Sequence, residues 1–155
     1  MLDLTIALAG PYGALMLAGM GAEVIHIEAP QSRDTARHSP PFLGPRGWNH
    51  GAPQPDEVSL LMLDRGRNKQ QITLNLKTEA GRSMFMDLVK VSDVVLENLS
   101  VGTTQRLGVD WPSVQAVNPR VVYASITGFG DNPAFAGLKG SDILVQALSG
   151  WMHVT

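Results

Sequence analysis

The residues able to do chemistry fall at the turns of this chain, outside its apolar runs. Asp142 stands where a glycine-rich stretch, Thr127 to Gly140, gives way to a helical pattern. A carboxylate there either caps free first-turn amides or faces a ligand brought up to the helix end. Arg65, Arg67, Lys69 and Lys77 place four of the twelve basic residues within thirteen positions. Such cations beside strand ends suit the phosphates of a nucleotide-like ligand, although a sheet edge kept soluble by charge gives the same run. Glu97-Asn98 closes an apolar run, and the Asn98 amide either meets a ligand or makes a turn. Gly128-Phe129-Gly130 reads as a turn with one aromatic anchor. His26, His38, His50 and His153 show no metal-ligand spacing and read as surface or loop residues.

Composition narrows the classes. With 44% hydrophobic and 17% charged residues, the chain is globular and long enough for one domain. A net charge of −2 supplies no basic field for nucleic acid. The absence of cysteine excludes disulfides and thiolate chemistry, and fits a cytoplasmic protein. Leu4 to Ala22 carries no charge, yet Asp3 precedes it and Pro11 and four glycines interrupt it. That arrangement favours a buried strand, turn and helix over a signal peptide or membrane span.

The elements that must position these residues alternate strand and helix. Leu4–Leu8 reads as a strand, with Pro11 opening a helix that Gly21 ends; Val24–Ile27 is a second strand. Ala29 to Asp56 reads as a long loop of the functional or mobile kind, and 57–63 as one short helix. Gln71–Leu76 alternates as a third strand. Thr78 caps the next helix, with Met84, Phe85, Leu88 and Val89 as its apolar stripe. Val94–Leu96 and Val121–Ile126 are further strands, separated by a short helix capped by Asp110. Ile143, Leu144, Ala147 and Leu148 mark the core face of a last helix ended by Gly150. The expected fold is α/β: a doubly wound, mostly parallel, Rossmann-like sheet in one domain over 1–155, with ligands beyond the carboxyl ends of its strands. The glycine fingerprint of dinucleotide-binding folds, the phosphate loop and the Gly-x-Ser-x-Gly elbow are absent.

An ordered set of stretches resembles the N-terminal part of family III CoA-transferases. It comprises Asp3-Leu4-Thr5 with Ala9-Gly10-Pro11, Gly21-Ala22-Glu23-Val24-Ile25 with Glu28, Asp34 with Arg37, and Asn68-Lys69. It continues through Leu74-Asn75-Leu76-Lys77, Asp93-Val94-Val95 with Glu97-Asn98, and Arg106-Leu107-Gly108. It closes with Asn118-Pro119-Arg120, Ser125 to Gly130, and Asp142 with Gln146 and Ser149-Gly150. The resemblance implies that coenzyme A lies against Leu8 and Ala9; Leu74, Asn75, Leu76 and Lys77; Asn98, Leu99 and Ser100; Arg106; and Lys139, Gly140 and Ser141. It places Asp142 at the acyl end of the site, with acyl-CoA and a carboxylic acid as substrates, no metal, and a homodimer as the assembly. Racemase relatives carry histidine where Ser141 stands, so transfer is implied and racemisation is not.

Several positions depart from the family pattern. Leu8 replaces a glutamine of some members, Leu99 an aromatic, Val101 a proline, and Ala29 a basic residue. The family's nucleophilic aspartate is expected about thirty residues beyond the Asp142 position, past Thr155, where it would attack the thioester to form an aspartyl anhydride. The chain alone is therefore expected to be inactive. The alternative is a non-catalytic CoA-binding or self-associating module of the same fold.

Overall fold

In the computed structural model the described residues are 1–31, 34–130, 132–135, 138 and 140–154. The elements in chain order are β1 (Leu2–Asp3), α1 (Ala9–Gly19), β2 (Ile25–Glu28), α2 (Thr35–His38), β3 (Phe42–Gly44), β4 (Gly47–Asn49) and β5 (Val58–Ser59). Next come α3 (Leu60–Arg65), β6 (Gln70–Thr73), α4 (Glu79–Lys90), β7 (Val94–Glu97), α5 (Thr103–Leu107) and α6 (Trp111–Val117). The chain continues through β8 (Val122–Ser125), a 3-10 turn (Pro133–Phe135), α7 (Asp142–Leu148) and α8 (Trp151–Val154).

The central sheet runs β6-β2-β1-β7-β8, all parallel, so the chain winds outward from β1 first one way and then the other. Alternation along each strand feeds two apolar layers. Leu2, Leu4, Ile27, Val95 and Val121 meet Phe85 and Val89 of α4 and Val114 of α6. On the opposite face, Val24 and Leu96 meet Ala14 and Ala18 of α1. This is the doubly wound arrangement expected, with its switch point between β1 and β7.

Boundaries differ where a charge or a tertiary partner overrides the local pattern. β1 is Leu2–Asp3, two residues before the apolar run, because Asp3 is buried against partners 23 and 66 residues away. α1 starts at Ala9, which makes Pro11 its third residue; its missing N–H still costs nothing inside the first turn. Gly21 follows the helix with φ +100°, as a C-terminal cap requires. The expected long loop holds α2 and the β3–β4 hairpin, which with β5 forms a second, antiparallel sheet of order β4-β3-β5. Short strands with glycines at the turn carry too little periodicity to be seen in sequence. The segment expected as one helix over 57–63 divides into β5 and α3.

Capping by Thr78 holds: its hydroxyl accepts from the Gly81 amide at 3.1 Å. Replacing Thr78 by Ala is expected to lower stability by about 1 kcal/mol, read as a shifted urea midpoint at unchanged slope. Asp110 instead accepts from the Ser113 hydroxyl and caps no amide with its side chain. Of the α4 stripe, Phe85 and Val89 are buried but Met84 is exposed. α7 differs most from expectation, since none of its residues is buried and Ile143 and Leu148 face outward.

Candidate functional site

Parallel pairing puts every strand's carboxyl end on one edge of the sheet, and the residues expected at the site collect there. Leu74 to Lys77 follow β6, Leu8 and Ala9 follow β1, Asn98 to Ser100 follow β7, and Arg106 lies on α5 just beyond. Gly140 to Asp142 reach the end of β8, because Gly128 and Gly140 cross so closely that a Cβ on Gly128 would stand 2.4 Å from the Gly140 Cα. Only glycine permits that crossing. Four strand spacings separate β6 from β8, roughly 19 Å at about 4.8 Å each. Lys139 lies outside the described residues.

Each local geometry has a cause. The Asn98 amide is committed to structure: it accepts from the Ile6 N–H and donates to the Ile6 carbonyl, both at 2.8 Å. Buried Glu97 accepts from the Leu99 amide at 2.8 Å and from the Ser125 hydroxyl, fixing the turn after β7 against β8. Asn75 accepts from the Lys77 amide at 3.1 Å, and Arg82 donates to the Lys77 carbonyl at 3.1 Å; the Lys77 side chain is exposed. Arg106 is exposed and donates to the Thr103 hydroxyl at 2.9 Å. Ser141, not Asp142, caps α7 by accepting from Leu144 at 3.4 Å. Asp142 is exposed in the first turn and accepts from Gln146 at 2.7 Å. Phe129 is anchored by stacking on Phe135 at 5.0 Å.

Arg65, Arg67 and Lys69 of the basic run are turned to other partners. Arg65 donates to the Ala7 carbonyl, and Arg67 pairs with Asp64 at 2.8 Å. The Lys69 side chain, 3% exposed, reaches Asp3 at 3.0 Å and the Pro11 carbonyl at 2.8 Å. His26 is no loop residue: it lies on β2, with Nδ1 3.3 Å from Asp3. Burial alone would push the Asp3 carboxyl up, but His26, the Thr5 hydroxyl and the Lys69 charge outweigh it and hold it below its ordinary 3.8. His26 and Lys69 of this cluster line a small pocket, about 50 Å³, behind the β1–α1 turn, together with Asp34 and Arg65. Sequence reasoning missed it; an acidic residue opening an apolar run was the available signal. Among the described residues, no group of three or more His, Asp or Glu side chains could hold a metal ion.

The whole chain, residues 1–155, matches the sequence pattern of CoA-transferase family III. The chain belongs to that family. It is 38% identical over 154 residues to the formyl-CoA:oxalate CoA-transferase of Streptomyces avermitilis, covering 99% of this chain and 34% of that protein. It is 35% identical over 155 residues to the human succinyl-CoA:glutarate CoA-transferase, covering 99% of this chain and 33% of that one. The crystal structure of a CAIB/BAIF family protein from Brucella suis superposes with a TM-score of 0.83 at 33% identity, over 96% of this family III chain and 37% of that one. The chain thus spans about a third of the length of the curated relatives it matches. Among the described residues of this family III member, no helix is long and apolar enough to cross a membrane.

Proposed function

We propose that this chain is the N-terminal, CoA-binding portion of an enzyme that moves CoA from an acyl-CoA to a carboxylic acid. The observation that carries the reading is the row of matched residues along one sheet edge, from Lys77 to Asp142. Its exposed cations and its carboxylate suit a ligand that carries both phosphates and an acyl group. Lys77 and Arg106, both exposed at that edge, would meet the phosphates, and Asp142 the acyl group. The chemistry is carboxylate catalysis. A carboxylate oxygen bonds to the thioester carbonyl carbon, the carbon–sulfur bond breaks, and CoA leaves as thiolate. The acceptor carboxylate attacks the enzyme carboxyl carbon of the resulting anhydride and expels the donor acid. The thiolate then attacks the new acyl carbon, breaking its bond to the enzyme oxygen and freeing the carboxylate. Asp142 is assigned to the site wall, not to the nucleophile, which on this reading belongs to the other two-thirds of the enzyme. The cytoplasm and a homodimer complete the proposal.

Titration calorimetry with CoA tests it. The native chain should bind in the high-micromolar to millimolar range, and Lys77→Ala or Arg106→Ala should each weaken binding about three- to tenfold. Absence of heat at millimolar CoA would leave the non-catalytic, self-associating module. That second reading has its own support in the exposed apolar residues Tyr12, Met16 and Leu17 of α1 and Met20 just after it.

A further inference from the structure

The turn from β1 into α1 has an unusual backbone, and side chains from other elements hold it. Ala7 adopts φ +62°, the left-handed region that disfavours a residue with a Cβ. Asp34, 4% exposed at the start of α2, accepts from the Ala7 amide at 3.0 Å and from the Ala36 amide at 2.9 Å with the same oxygen. Arg65, at the end of α3, donates to the Ala7 carbonyl. Asn98, after β7, takes both polar groups of Ile6 at 2.8 Å. The backbone donors and acceptors of Ile6 and Ala7 are thus satisfied by side chains from three places in the fold. Among the described residues no side chain bonds the Leu8 or Ala9 backbone, and Leu8 offers α1 no side-chain cap.

The geometry points to Asp34, with Arg65, as positioning residues for the CoA site. They hold Ala7 left-handed and thereby aim the Leu8–Ala9 backbone into the crevice between β1 and β7. This inference rests on the reading that CoA occupies that crevice. Neither side chain needs to touch the ligand. Asp34 acts on the Ala7 amide and Arg65 on its carbonyl, so together they fix the two peptide units that flank the Ala7 Cα.

The test separates positioning from general support of the fold. Asp34→Ala removes the acceptor and is expected to weaken CoA binding by about tenfold in calorimetry, at a temperature where circular dichroism shows the variant folded. Asp34→Asn keeps an oxygen for Ala7 and should bind nearly as the native chain does. Adding Ala7→Gly to Asp34→Ala should restore most of the affinity, because glycine adopts the left-handed backbone unaided. A merely structural Asp34 would give no such rescue. Native-like affinity of folded Asp34→Ala, or a double variant as weak as the single one, would overturn the inference. Should the native chain give no heat with CoA, the functional reading fails, and the turn is read by the Ala9 and Gly10 amide resonances. Displacement of those resonances in Asp34→Ala and their return in the double variant keep the positioning role; unmoved resonances reject it.

Discussion

Asp3→Asn is expected to destabilise the fold by about 3–5 kcal/mol, the usual cost of leaving one member of a buried ion pair without its partner. The Asp3 side chain is fully buried, and its neighbour Lys69, with 3% of its side chain exposed, has no other carboxylate within ion-pair reach among the described residues. The Pro11 carbonyl would remain on the ammonium, but a dipole does not replace a charge. Chemical denaturation of native and variant chains gives the difference directly. Lys69→Met should fall in the same range, and the double variant should lose less than the two singles added together. The pH dependence has a definite sign. Because the folded Asp3 carboxyl lies below its ordinary 3.8, its stabilisation is complete above that value and is lost as pH falls through the lower folded one. The gap between native and Asp3→Asn should therefore be flat near neutrality and close only below about pH 3.8. A gap closing between pH 5 and 7 would mean that another group controls the cluster.

The second large effect lies a few residues on. A Cβ on Gly10 would stand 2.3 Å from the Thr5 Cβ and 2.4 Å from its methyl group. Thr5 cannot yield, being fully buried with its amide 3.0 Å from the Asp3 carboxylate. Gly10→Ala should therefore cost at the upper end of the ~1–3 kcal/mol usual for overpacking, or more. Gly13 lies in the same helix and has nothing within 4 Å of its missing Cβ. Gly13→Ala should stabilise by up to about 1 kcal/mol. Opposite signs for one substitution in one helix would tie the first effect to contact with Thr5 and not to helix propensity. Two equal shifts in melting temperature would sink that account.

What could be read from the chain alone was what short-range physics decides. The βα alternation, the Thr78 cap and the Gly21 terminus each depend on residues within a turn of one another, and each stands in the structure. The placement of Leu8, Asn98 and Asp142 on one sheet edge followed from parallel topology. Features depending on distant partners were not legible. Asp3 reads only as a charge ahead of the first apolar run until Lys69 is brought to it across 66 residues. The basic run reads as four like cations until Arg65 turns to Ala7 and Lys69 goes inward, which leaves Lys77 exposed at the sheet edge. Asn98 left a ligand and a turn as equal readings, and only the pairing with Ile6, 92 residues away, decides for structure. The α7 stripe has helical spacing, but periodicity reports an apolar face and not what covers it.

The exposed state of α7 makes the two ends of the crevice unequal in local stability. The β1–β7 side is tied into the sheet, so its amides exchange with solvent only when the sheet itself opens. In this chain taken by itself α7 has seven residues and none buried, shorter than a helix that holds itself together in water, so there it is the end that opens first. A ligand spanning the row meets one preset end and one end that it must itself order, and the ordering term sets how far affinity falls below what its contacts alone would give.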